Sequence, residues 1–181
     1  GNGDFLVDED GETYINGFAA FEFFVVVQSD LTNTDKGILD TKDPNGADDG
    51  ITLRYDAAGF GGGCSNCIKG GIETSGAGST SAESASSTQT TTPQLLGATW
   101  NDGGTFEIYV DGSLSSSWND GNVSGTTGNA QKFIIGKGPK DTSASSSWNG
   151  KIVEIVFLNT QTSSSDRTKI MDYLKTKWGI P

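Results

Sequence analysis

An all-β chain is predicted here: a two-sheet antiparallel β-sandwich closed by one C-terminal helix. Three observations carry that expectation: short apolar runs of strand length, turn-rich composition between them, and one capped helical stretch at the end. Of 181 residues, 26 are glycine and 33% are hydrophobic. Glycine and serine favour turns, while β-branched and aromatic residues favour strands. A chain of this length fits one ordinary domain with a real core, and residues 1–181 are read as one.

Residues 18–27 (FAAFEFFVVV) form the most apolar segment. It is too β-branched and aromatic for a surface helix and reads as a strand buried on both faces or at the sandwich centre. Residues 37–41 and 51–55 are shorter strands, the second alternating apolar and polar. Between them lies the polar stretch 42–50, with a Pro-Asn-Gly turn signal. Residues 94–100 form the next strand. Residues 105–110 alternate strictly, with Phe106, Ile108 and Val110 on one face and Glu107 and Tyr109 on the other. Asp111-Gly112 then signals a type I′ hairpin into a strand over 113–117. Residues 132–136 and 148–157 complete the set. In the last, Ile152, Glu154 and Val156 are expected on one face and Val153, Ile155 and Phe157 on the other.

From residue 59 to 92 the pattern dissolves into Gly- and Ser/Thr-rich sequence. Neither flank has enough strands to close a sandwich alone. Residues 73–92 are therefore read as a long loop or polar edge strands within the one domain, not as a linker. At the C-terminus, Ser163 is an N-cap with Asp166 three residues on, a capping-box-like pair. Ile170, Leu174 and Trp178, with Met171 beside them, form an apolar stripe. Gly179 is the expected residue just past the helix end, and Pro181 cannot continue it.

Composition narrows function. The net charge is −11, from 12 basic and 23 acidic residues. Such a chain repels phosphate backbones and anionic bilayers, so neither nucleic acid nor membrane insertion is expected. No stretch approaches the roughly 18 apolar residues of a membrane span. The opening residues read as a trimmed terminus. There is no histidine, which removes the commonest general base, the commonest zinc ligand and every Ser-His-Asp scheme. Cys64 and Cys67 lack the further ligands of a zinc site and the βαβ context of a thioredoxin centre. They read as a short disulfide pinning a Gly-rich turn, which implies an oxidising compartment, or else as two structural thiols.

Three ordered pieces carry a resemblance: residues 98–112 (ATWNDGGTFEIYVDG), 133–136 (FIIG) and 148–159 (WNGKIVEIVFLN), running into the terminal helix. Together they resemble the laminin-G-like domains of the concanavalin A-like superfamily, found in bacterial and phage surface and secreted proteins. The resemblance implies a jelly roll and a secreted or surface location. It also implies a role in carbohydrate binding (a glycan or cell-surface polysaccharide), adhesion or contact with other protein subunits, often with Ca²⁺.

The superfamily also contains glycan-active enzymes. Their retaining chemistry needs two carboxylates about 5–5.5 Å apart on one face. Glu107 and Glu154 have no such partner along their own strands, so a non-catalytic module is expected. Calcium suits the acidic loop better: Asp40, Asp43, Asp48 and Asp49 lie within ten residues, and Ca²⁺ takes six to eight loop oxygens. These residues read equally as solvated turn formers. For sugar, an exposed aromatic face beside amides and carboxylates is needed. Trp118, with Asn119 and Asp120, is the platform candidate or else a loop tryptophan folded back over the sandwich rim, and Trp148 reads as either platform or core. Trp100 and Trp178 are expected in the core. Three functions follow: a carbohydrate-binding or adhesive module, a structural protein of an assembly such as a virion decoration or fibre protein, or a glycan-active enzyme of the same fold.

Overall fold

The structure, a computed structural model, describes residues 4–41, 50–57, 64–74, 79–118, 123–128, 132–138 and 147–181. Two antiparallel sheets face each other. The six-stranded sheet runs in the order β1-β10-β3-β4-β5-β6 and the five-stranded sheet in the order β11-β2-β7-β8-β9. The strands are β1 (Leu6–Asp8), β2 (Ala20–Ser29), β3 (Lys36–Asp40), β4 (Gly50–Asp56), β5 (Cys67–Glu73) and β6 (Ser79–Glu83), then β7 (Gln94–Asn101), β8 (Phe106–Val110), β9 (Ser113–Trp118), β10 (Phe133–Ile135) and β11 (Gly150–Leu158). A four-residue helix α1 (Glu12–Ile15) follows β1, and α2 (Ser164–Trp178) ends the chain. No helix among the described residues is long and apolar enough to cross a membrane.

The apolar run of β2 is buried on both faces for two different reasons. Phe21, Phe23, Val25 and Val27 point between the sheets, where they meet Ile38, Leu53, Tyr55, Ile108 and Trp100. Phe24 and Val26 point the other way and pack with Leu95, Tyr109, Met171 and Leu174 beneath α2. The helix thus gives the outer face of the five-stranded sheet a second, smaller core. Gly97 of β7 leaves room for Phe24 on that face, since an added Cβ would lie 2.9 Å from the Phe24 ring.

The facing residues of β11 differ from simple alternation. The register with β2 shifts between Ile152 and Glu154, so Val153 is an extra residue that flips the phase of the strand. Ile152, Ile155 and Phe157 consequently share the inner core, while Val156 and Leu158 join the cluster under the helix. In the Gly-rich stretch expected to be irregular, residues 67–73 form β5. Gly70 there lies under Phe106, whose ring would be 2.9 Å from a Cβ. The following β6 is the polar edge strand. The segment after it is stitched back: Gln89 donates through Nε2 to the carbonyls of Thr34 (3.1 Å) and Cys67 (3.2 Å). Cys64 and Cys67 are joined as a disulfide at the start of β5.

The hairpin at residues 111 and 112 has φ of 50° and 85°, both positive as a type I′ turn requires. Ser163 caps α2: its Oγ accepts from the Asp166 N–H (3.1 Å) and donates to the Asp166 carboxylate (2.9 Å). Gly179 ends the helix at φ 64°. The buried stripe, however, is Arg167, Met171 and Leu174, not the expected Ile170, Leu174 and Trp178. Trp178 is 38% exposed.

Candidate functional site

Of the four tryptophans, the structure separates one from the rest. Trp100 is fully buried in the inner core. Trp178 lies outside on α2, its Nε1–H bound to Glu154 at 2.5 Å. That N–H first, and then the Lys177 ammonium, hold the Glu154 carboxyl below the usual carboxylate range. Trp148, weighed as a stacking platform, is 4% exposed and stands edge-on to Tyr55 with ring centroids 4.9 Å apart. Its Nε1–H is engaged by the Lys151 carbonyl at 3.3 Å, so it offers no face to solvent.

Trp118 is the exception. It ends β9 and pairs with Phe106 of β8. Directly opposed residues of an antiparallel pair share a face, and Phe106 is fully buried between the sheets. β9, though, is the last strand of its sheet, so the indole lies at the sandwich rim and is 59% exposed. Ser116, two residues earlier and opposite Ile108, projects on the same side. The rim is fixed in place by the segment after β6, where the Ala85 N–H reaches the Ser115 hydroxyl at 3.3 Å. Asn119 and Asp120, expected beside Trp118, lie outside the described residues.

At the other edge of the sandwich, a cleft of about 500 Å³ opens between β1 and β10 on one sheet and β11 on the other. Phe5, Leu6 and Val153 are exposed within it, Trp148 forms part of its buried wall, and Asp4 and Glu154 supply its carboxylates. The Lys137 ammonium stands 4.5 Å from the Phe5 ring centre. Sequence gave no warning of this cleft, because its two walls come from strands that no local pattern relates.

For the calcium expectation, Asp40 is the described member. It is buried at the end of β3, opposite Thr52 and Ile134. The base of the acidic loop is clasped just beyond it: the Ile51 N–H donates to Thr41 Oγ1 at 2.7 Å, and the Thr41 N–H to the Ile51 carbonyl at 2.9 Å. Asp43, Asp48 and Asp49 lie outside the described residues. One buried carboxylate fits the start of an oxygen-rich loop without completing one.

The expectation that no carboxylate pair shares a face holds along each strand but not across them. Glu22 of β2 faces Thr99 of β7, which faces Glu107 of β8, so both glutamates stand on the outer face of the sheet. The pair is closed. Arg167 of α2 places Nη2 2.6 Å and Nε 2.8 Å from Glu22 Oε1, and Nη1 3.5 Å from Glu107. Tyr109 Oη accepts from Arg167 (2.8 Å) and donates to Glu107 (2.7 Å). Thr162 donates to Glu22 (2.7 Å) and Thr99 to Glu107 (3.1 Å). Glu22 is fully buried. This is a satisfied ion cluster that seats the helix, and it leaves no room for a sugar between the carboxylates.

No family model matches the sequence, and no curated protein matches it. Solved structures do share its fold. A candidate carbohydrate-binding protein of Bacteroides ovatus superposes with a TM-score of 0.61 at 17% identity, over 84% of this chain and 41% of that one. The type C botulinum neurotoxin, whose cell entry depends on two ganglioside molecules, gives 0.62 at 11% identity over 94% and 39%. The CBM40 module of the Ruminococcus gnavus IT-sialidase, bound to α2,3-sialyllactose, gives 0.65 at 10% identity over 94% of this chain and all of that module. The chain thus spans about two fifths of the first two proteins and the whole of the third. At these identities the likeness establishes the fold: this chain is a two-sheet antiparallel β-sandwich with one C-terminal helix.

Proposed function

We propose that the protein is a non-catalytic carbohydrate-binding module of a secreted or surface protein, of the laminin-G-like kind, with Trp118 as its stacking platform. One observation carries this: a 59% exposed indole on the sandwich rim, beside the Ala85–Ser115 hydrogen bond, presents a flat apolar face to solvent. The face of an indole packs against the C–H face of a pyranose while neighbouring polar groups hold its hydroxyls. Asn119 and Asp120 supply an amide and a carboxylate next in sequence. Three neighbours of this fold, the B. ovatus protein, the toxin and the sialidase module, are tied to glycans, which supports the reading.

Calcium belongs to the same proposal. Asp40, with Asp43, Asp48 and Asp49 close to it in sequence, is the proposed holder of a Ca²⁺ ion. The test is a glycan array run with Ca²⁺ and with EDTA on the wild type and on Trp118→Ala. Binding that Trp118→Ala abolishes is expected; no binding in either buffer ends the reading. A thermal melt raised by Ca²⁺ and unmoved by Mg²⁺ is expected for the metal part, and a melt indifferent to both ends it.

A second reading, a structural part of an assembly, is favoured by the exposed Leu6 and Val7 on the edge strand β1, with Phe5 just before it and Val153 across the cleft. An unprotected apolar edge invites pairing with another chain. Light scattering after size exclusion separates the two readings, since a strict monomer at high concentration speaks against assembly.

A further inference from the structure

We infer that the Trp118 face takes a neutral pyranose and excludes glycans that end in a carboxylate, such as sialylated or uronate chains. This rests on the glycan-binding reading above and names the ligand class of that same site.

Carboxylate groups are recognised with geometric specificity by a guanidinium that donates two parallel hydrogen bonds. The chain contains two arginines, Arg54 and Arg167. Arg167 lies under α2, with its guanidinium on Glu22, Tyr109 and Glu107. Arg54 belongs to β4 of the opposite sheet, with Nη2 2.8 Å from Asp56 Oδ2. Neither stands on the β8–β9 pair that carries Trp118. No lysine belongs to β8 or β9 either, and five of the described lysines are engaged at their ends. Lys69, Lys132, Lys169 and Lys177 each meet a carboxylate, and Lys175 donates to the Asp111 carbonyl.

The field of the whole molecule acts in the same direction. A net charge of −11 repels an anionic ligand, and the repulsion fades as salt screens it over about 8 Å at physiological ionic strength. What the rim does offer is an uncharged aromatic face with the Ser116 hydroxyl on the same side of β9. Those groups match the C–H patch and the hydroxyls of a neutral sugar ring. That pair of strands carries no cationic side chain to pair with a carboxylate. The ligand class inferred here therefore differs from the sialylated ligand of the sialidase module, although the two share a fold.

The experiment is an array in which each neutral oligosaccharide sits beside its α2,3-sialylated and its uronate counterpart. It is read in EDTA at low and at high salt, so that no bound metal bridges an anion. Hits are followed by calorimetry on the wild type, Trp118→Ala and Trp118→Phe. The neutral member of each pair is expected to bind at least about tenfold more tightly, equal to about 1.4 kcal/mol, with little dependence on salt. Trp118→Ala should remove that binding and Trp118→Phe should keep part of it. Equal or tighter binding of the sialylated or uronate members overturns this inference while leaving glycan binding standing. Neutral binding that survives Trp118→Ala overturns the assignment to this face. The array is then repeated with Ca²⁺, and no binding by either class in EDTA and in Ca²⁺ alike ends both this inference and the reading beneath it.

Discussion

The outer face of the five-stranded sheet and its free rim treat their chemistry in opposite ways. Under α2, two glutamates, an arginine, a tyrosine and two threonines form a closed set of hydrogen bonds. At the rim, Trp118 leaves a large apolar surface in water. The first region resembles an active site in its residue types and is structural in its geometry. The second has no titratable side chain among the described residues beside Trp118 on its face of β9 and is the better candidate for binding. Residue chemistry alone ranks the two regions the wrong way round; burial and partners reverse the ranking.

The sharpest way to break that comparison is to remove the cation that closes the cluster. Arg167→Leu leaves Glu22 fully buried and uncompensated, and should cost about 3–5 kcal/mol in chemical denaturation, against a total of about 5–15 kcal/mol for an ordinary domain. The double variant Glu22→Leu/Arg167→Leu should regain most of that loss, since removing a buried pair together is far cheaper than orphaning one member. A cost below about 1 kcal/mol for the single variant would mean that water reaches Glu22, and the pair would have to be reconsidered as a site.

Next in size is the helix packing itself. Leu174→Ala empties a buried position among Phe24, Val26 and Met171 and should cost about 2–5 kcal/mol. Trp178→Ala, larger in volume but on the exposed side, should cost less than Leu174→Ala, because its contacts are a half-exposed ring and a surface hydrogen bond to Glu154. Urea midpoints of the two variants check this ordering, and the reverse order would restore the stripe read from sequence.

Alkaline pH probes the same cluster more gently. Burial, and then the hydrogen bond to Glu107, raise the Tyr109 phenol to about 12; burial raises Tyr55 likewise to about 12. Both unfold to a value near 10. The folded state therefore holds these protons more tightly than the unfolded one, and their contribution to stability is complete below pH 10. It is lost as pH rises from about 10 to about 12. Thermal melts across that window should fall, and the fall should be shallower in Tyr109→Phe. An unchanged slope in that variant would place the effect elsewhere.

The legible parts of the fold were those fixed by neighbours in sequence. The Asp111-Gly112 hairpin and the Ser163 and Gly179 caps depend on a few adjacent residues, and each stands where the sequence places it. The apolar run in β2 was legible as doubly buried, though not why. What sequence hid were features set by partners far along the chain. The bulge at Val153 changes which β11 residues face inward, and that phase is defined only against β2. β5 was masked by glycines that look like loop and are there because Phe106 lies over Gly70. Arg167 looked like any charged residue of a surface helix. Its clue was Glu22, a lone acid in the middle of an apolar strand, which demands a buried cation from somewhere. Trp148 fell to the core side of its two readings for a similar reason: Tyr55, its partner, sits on the other sheet.

The smallest expected change in stability belongs to the position with the largest expected change in binding. Trp118→Ala removes an indole that is mostly in water, so its folding free energy should move by about 0.5 kcal/mol or less. The same substitution should abolish the neutral-glycan binding proposed for this rim. Leu114, also exposed on β9 but opposite Tyr109 on the outer face, is the internal control: Leu114→Ala should be equally mild in stability and should leave binding intact. Measured together by denaturation and by calorimetry, the two variants ask whether exposure alone or the face of the strand decides function. If Leu114→Ala weakens binding as much as Trp118→Ala, the ligand wraps the whole edge strand and the rim is an edge-pairing surface instead of a sugar platform. If only Trp118 matters, the indole face itself is the site, since the two side chains share a strand and differ in the side on which they project.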